Sequence, residues 1–171
     1  SAPGGERTDM NVVDALRNVD LFRDVPEGGL RAIAEVAELV SLAAGDVVVV
    51  EGGPPDALYV IRSGSCRVFK EKGGDARPVV HIRAVDQFGA SSMLDRAPRS
   101  ATVIAVEPTE LIAFRAERLT AVLKKDPATA AVFYHALAVS PFRRLRQTTD
   151  DLGIARLHVA DKIGPPDAFA P

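Results

Sequence analysis

The strongest constraint on this chain is the rhythm of its turns between Leu39 and Arg115. Short β-branched runs alternate there with Gly, Pro and Asp clusters, about every 6 to 12 residues. The turn signals are Ala43-Ala44-Gly45-Asp46, Gly52-Gly53-Pro54-Pro55-Asp56, Ser63-Gly64-Ser65, the polar Gly-Gly loop from Glu71 to Ala76, and Glu107-Pro108. Between them lie Leu39 to Leu42, Asp46 to Glu51, Ala57 to Arg62, Cys66 to Lys70, Pro78 to Ile82, Thr102 to Val106 and Thr109 to Arg115. Cys66 to Lys70 alternates apolar and polar residues, as a strand with one wet face does. Such spacing predicts about eight short antiparallel strands in a sandwich or jelly roll.

Helical periods flank this region. Val12, Val13 and Leu16 share one face of a helix over Asn11 to Asn18, with Asn11 as its N-cap. Leu21 to Pro26 is an apolar linker, and Pro26 opens a helix to Ala37 whose stripe is Leu30, Ile33, Ala34 and Val36-Ala37. Ala116 to Lys125 carries Leu119, Val122 and Leu123 at helical spacing. Asp126-Pro127 then breaks and restarts the helix. The last helix runs from about Pro127 to His158, with Leu145 and Leu152 a heptad apart. Pro141 interrupts or kinks it, and Gly153 is a second weak point. The predicted class is α+β: N-terminal helices, a jelly roll and a C-terminal helical pair. The expected divisions are a disordered lead over 1–10, the jelly roll with its flanking helices over 11–126, the long helix over 127–160 and a flexible Pro-rich tail over 161–171. Met10 would make a plausible natural start.

Composition excludes several functions. The 171 residues carry a net charge of −2, which argues against a strongly basic nucleic-acid binder. One cysteine, Cys66, permits neither an intrachain disulfide nor a cysteine-built zinc cluster, and reads as a half-buried thiol. His81, His135 and His158 fall on different elements, so no metal site is expected; His81 reads as a hydrogen-bonded strand residue. Ser92 has no base nearby in sequence and no GxSxG elbow is present. Gly52-Gly53 lacks the lysine of a phosphate-binding loop. Arg143-Arg144-Leu145-Arg146 reads as a solvated helix face. No apolar run approaches the roughly 18 residues of a membrane span, and Ser1 to Asp9 has no signal-peptide core. A cytoplasmic, non-enzymatic protein is the expectation.

One stretch looks built for chemistry: Phe88-Gly89-Ala90-Ser91-Ser92-Met93-Leu94-Asp95-Arg96-Ala97-Pro98-Arg99-Ser100-Ala101-Thr102. Gly89 lets backbone amides approach an anion. Ser91 to Arg96 fits one helical turn, stopped by Pro98. A helix start offers unpaired N–H groups, and the Arg99 fork suits phosphate oxygens. The same residues also fit a plain surface loop between strands.

Three further segments resemble cyclic nucleotide-binding domains. They are Leu16-Arg17-Asn18-Val19-Asp20-Leu21-Phe22, Leu42-Ala43-Ala44-Gly45-Asp46-Val47, and the run from Glu51 through Tyr59 to Gly64. The Phe88 to Thr102 stretch is similar to that family's phosphate-binding cassette, and the likeness covers about residues 12 to 160. Within the family, Arg143 to Leu152 resembles the dimerisation helix of catabolite-activator-type bacterial regulators. The resemblance implies a ligand site of Gly89, Ala90, Ser91, Ser92, Arg99 and Ser100, joined from the last helix by Thr148 and Thr149. It implies cAMP or cGMP as ligand, with cAMP favoured by the Thr148-Thr149 pair. The family's cassette Glu, which accepts from the ribose 2′-hydroxyl, is replaced by Ala90. A charge-assisted hydrogen bond of that kind is worth about 1.5–3 kcal/mol, or ~10- to 150-fold in affinity. The regulators' DNA-reading domain has no counterpart in these residues.

Two functions fit. One is a cyclic nucleotide sensor that signals through its C-terminal helices as a homodimer or to a helix-bound protein, without direct contact to nucleic acid or membrane. The other is a degenerate domain without ligand, serving as an interaction or dimerisation scaffold.

Overall fold

The computed structural model describes residues 5–140, with side chains from Asn11 onward. Helices α1 (Gly5–Arg17) and α2 (Glu27–Glu35) lead into eight strands. These are β1 (Ala37–Leu42), β2 (Val47–Val49), β3 (Ala57–Ser63), β4 (Ser65–Lys72), β5 (Asp75–Arg83), β6 (Gln87–Phe88), β7 (Thr102–Ala105) and β8 (Thr109–Arg115). Helix α3 (Ala90–Asp95) interrupts the strands, and α4 (Ala116–Lys125) follows them. A further helix, α5, occupies 127–140. The strands form two antiparallel four-stranded sheets, ordered β1-β8-β3-β6 and β2-β7-β4-β5. This is the jelly roll that the turn rhythm predicts.

Strands β3 and β8 organise the two cores. Successive side chains on a strand point to opposite faces, and both faces of this pair are covered. Ala57, Tyr59 and Ile61 of β3, with Leu111 and Ala113 of β8, meet Cys66, Ile82, Val103 and Ala105 of the other sheet. Leu58, Val60, Ile112 and Phe114 point the other way, into the helices. Two-sided burial explains why both strands read as nearly unbroken apolar runs rather than alternating ones. Phe22, between α1 and α2, links the layers: its ring lies 5.6 Å from Phe114 and 5.7 Å from Phe133 of α5.

Several boundaries differ from the expectation. Helix α1 begins at Gly5, so Asn11 is not its N-cap and the lead is not wholly disordered; the buried Val12, Val13 and Leu16 anchor the polar turns ahead of them. Helix α2 ends at Glu35, because Ala37 already pairs with Phe114 in β1. Strands β4 and β5 run on to Lys72 and back from Asp75 across a two-residue turn. Gly73 and Gly74 both have positive φ, 65° and 87°, the turn that matches strand twist. The eighth strand is β6, which has only two residues. Cys66 is fully buried, not half-buried, since its side chain faces the core between the two sheets; burial pushes its thiol pKa up to about 11. His81 stands exposed on β5. Pro141, Arg143 to Arg146, Leu145, Leu152, Gly153 and His158 lie outside the described residues.

Among the described residues, no helix is long and apolar enough to cross a membrane. The C-terminal helix is fastened at its start. Asp126 Oδ1 accepts from the amides of Ala128 (3.1 Å) and Thr129 (3.2 Å), and Thr129 Oγ1 donates to Asp126 Oδ2 at 2.6 Å. These bonds, the side-chain one foremost, hold the Asp126 carboxyl below its ordinary pKa. Thr129 is fully buried against Gly29 of α2, where a Cβ would overlap the threonine hydroxyl. Gly29→Ala should therefore cost about 1–3 kcal/mol as an overpacking change, read as a lower melting temperature. Gly28→Ala, with open space around its Cβ, is the control and should not be destabilising.

Candidate functional site

Strand β6 pairs with β3 at Tyr59↔Phe88, and the two rings stack at 5.0 Å between centroids. Gly89 then turns the chain with φ 83° and serves as the N-cap of α3. The helix ends at Arg96, itself left-handed at φ 54°, before Pro98 is reached. It therefore spans Ala90–Asp95, one residue earlier than the Ser91 to Arg96 turn expected. Asp95 Oδ1 accepts from the Ala97 amide at 2.9 Å and helps bring the chain round to Arg99.

Arg99 is stitched to the turn between β2 and β3. Its amide donates to the Gly53 carbonyl (2.9 Å), and its carbonyl accepts from the Gly52 amide (2.8 Å). The side chain is 3% exposed. Nε donates to the Pro54 carbonyl at 3.2 Å. Nη2 donates to the Ala57 carbonyl at 2.6 Å and to Asp56 Oδ1 at 3.1 Å. The guanidinium carbon lies 5.7 Å from the centre of the Tyr59 ring. Burial, then the Asp56 charge, raises the Tyr59 pKa, while Arg99 and Arg115 oppose this. The remaining nitrogen, Nη1, is buried and has no hydrogen-bond partner among the described residues. A buried cation with an unused donor is costly, so this atom marks a place suited to an anion.

The space beside it is a cavity of about 340 Å³. Gly89, Ala90, Ser91, Ser92, Arg99 and Ser100 all line it, so six of the eight expected residues come together. Ser92 is buried, whereas Ser91 and Ser100 are exposed at the mouth. Thr148 and Thr149 lie outside the described residues. Val49, Val68, Val80, Ile82 and Val103 form apolar walls. Helix α5 closes one side with Leu137 and Ser140, and Gln87 Nε2 donates to Ser140 Oγ at 3.2 Å.

Sequence reasoning missed Asp56, Gln87, Leu137 and Ser140. Asp56 stood in a turn with nothing to mark it as the partner of an arginine 43 residues on. It also begins a chain of charges. Arg115 Nη1 donates to Asp56 Oδ2 (3.2 Å), Arg115 Nε to Glu38 Oε2 (3.3 Å), and Arg118 Nη1 to Glu38 Oε1 (3.2 Å). The outer pairs are exposed and individually weak. Among the described residues, no three His, Cys, Asp or Glu side chains are grouped to hold a metal ion.

Among the described residues, the two-sheet jelly roll thus carries one buried arginine in the wall of its cavity. Residues 39–126 match the family model of the cyclic nucleotide-binding domain, and the chain belongs to that family. It is 35% identical to the cyclic AMP receptor protein of Thermus thermophilus, over 64% of this chain and 50% of that protein. It is 36% identical to the cAMP-dependent protein kinase regulatory subunit of Aspergillus niger, over 53% of this chain and 21% of that one. The chain thus spans half or less of each of these relatives. Among solved structures, the N-terminal domain of a transcriptional regulator from Streptomyces coelicolor A3(2) superposes with a TM-score of 0.68 at 30% identity, covering 80% of this chain and 96% of that one. The regulatory domain of Toxoplasma gondii PKA with cAMP superposes with a TM-score of 0.65 at 27% identity, over 76% and 49%.

Gly89 carries two constraints at once. Its φ is left-handed, and a Cβ there would collide with Arg99 Nη1 and stand 2.8 Å from the Ala57 carbonyl. Gly74 has a similar φ of 87° in open space. Gly74→Ala should cost about 1–2 kcal/mol from backbone strain alone. Gly89→Ala should cost more than Gly74→Ala in denaturant unfolding; equal costs would mean that the Arg99 contact does not constrain position 89.

Proposed function

We propose that this chain is a non-catalytic regulatory module that binds a cyclic nucleotide, with Arg99 holding the cyclic phosphate. The observation that carries this reading is the buried, unpartnered Nη1 of Arg99 at the wall of the cavity. Gly89 keeps that nitrogen uncovered by any side chain of its own, and Ser92 and Ser100 place hydroxyls around the same space. cAMP is the favoured ligand, supported by the cAMP named for the Thermus receptor protein and for the kinase regulatory subunits.

Signal leaves through α5. Leu137 and Ser140 form part of the cavity wall, and the Gln87–Ser140 bond ties the helix to β6. A ligand that contacts one position of α5 better than another shifts the population between them. Residues 127–160 are then the output element, ending in a homodimer or a helix-bound protein partner. Thr148 and Thr149 belong to the ligand site in this reading. A second reading, a ligand-free interaction scaffold, is favoured by Ala90, which supplies no acceptor where the family has a glutamate.

Thermal melts with cAMP and cGMP decide between the two. For the wild type, cAMP at about 100 Kd should stabilise the fold by about 2.7 kcal/mol. Arg99→Ala should abolish that shift, and Arg99→Lys should weaken it, since an ammonium lacks the fork. No shift at millimolar ligand, or an unchanged shift in Arg99→Ala, would remove Arg99 from the site. Light scattering at high protein concentration should show a dimer; a monomer would end the dimer proposal.

A further inference from the structure

Helix α3 borders a second concavity. A groove of about 870 Å³ is lined by α3, α4, α5 and the turn before β3, and Ser92 and Leu94 line both it and the cavity. Its apolar surface is Met93, Leu94, Ala116, Ala121 and Tyr134. Leu94 is 54% exposed and Tyr134 39%, so these two large side chains stand uncovered by the described residues. Its charged surface is Arg96, Arg115, Arg118 and Lys124 against Asp56 and Glu117. This positive excess stands on a chain whose net charge is −2. Asp56 and Glu38 already engage Arg115 and Arg118. Arg96 and Lys124 have no ion pair among the described residues. Arg96 is the C-cap of α3 and Lys124 lies in the last turn of α4, where a cation suits the helix dipole without any partner. Cations set around an uncovered Leu and Tyr in a concave groove are, by contrast, the apolar centre and polar rim of an interface.

We propose that this groove docks an acidic segment of another protein, with apolar residues of the segment on Leu94 and Tyr134 and its carboxylates on Arg96 and Lys124. Charge complementarity selects the sign of the partner, and Leu94 and Tyr134 supply the area that excludes water. The concave shape suits a peptide segment rather than a flat membrane surface. Asp56 and Glu117 in the same wall oppose the unbroken phosphates of a nucleic acid. Docking here needs no nucleotide in the cavity and is compatible with either function above.

The test selects a random peptide library, displayed on phage, against the immobilised full chain, and then titrates the enriched peptides as synthetic ligands. They should carry Asp or Glu around an apolar or aromatic residue and bind more weakly as salt rises. Lys124→Glu should weaken them by about fivefold or more, and Leu94→Asp by about tenfold. These variants change exposed side chains on separate helices, so if one fails to fold, as judged by its melting curve, the other decides. If neither folds, the composition and salt dependence of the peptides that bind wild type decide. No enrichment, peptides without an acidic bias, or peptides whose binding survives both variants would overturn the proposal. A groove filled instead by residues 141–171 of this chain, or by a second copy, would leave the wild type without peptide binding. Leu94→Asp would then lower the melting temperature or split a dimer in light scattering, and that result also overturns it.

Discussion

The burial of one guanidinium organises the cavity end of this fold. Arg99 brings a full positive charge inside the protein, which is costly unless it is paired and hydrogen-bonded. It is tolerated because the chain around it supplies acceptors: the Pro54 and Ala57 carbonyls and the Asp56 carboxylate. Those acceptors belong to the turn before β3 and to the first residue of β3, while Arg99 itself follows α3. The interaction therefore fastens two segments more than forty residues apart in sequence and sets the position of α3 between them. Gly53 and Gly89 are small where Arg99 passes, so the side chain lies close to both segments.

Two-sided burial of β3 and β8 does the corresponding work for the rest of the molecule. One set of their side chains closes the space between the sheets, and the other receives α1, α2, α4 and α5. The helices thus rest on the outside of the same strands whose inner faces approach the cavity. A change in how α5 packs in the core around Phe22 and Phe114 is never far from the cavity, because Leu137 belongs to both regions.

The fold was legible wherever local chemistry and tertiary pairing agreed. Strand β8 and helix α4 have the boundaries expected, since Pro108 and the change of period at Ala116 mark them in the sequence itself. Strand β6 was not legible, because two residues carry no period and only their pairing with Tyr59 and Val60 makes them a strand. The end of α2 was misplaced because Val36-Ala37 continues an apolar stripe that β1 in fact claims. At the site, the cassette residues could be read as a group because they are contiguous. Asp56, Gln87 and Ser140 could not, since their roles exist only through partners brought together by folding.

Helix α5 is a wall of the cavity as well as a packed helix, and that geometry has a thermodynamic consequence. Anything that grips α5 from outside and anything that fills the cavity must be coupled if both distinguish the same two helix positions. The coupling is reciprocal: each changes the affinity of the other by the same factor. On the proposed reading, a protein bound to this helix would retune the cavity and a ligand in the cavity would retune the helix, by the same factor.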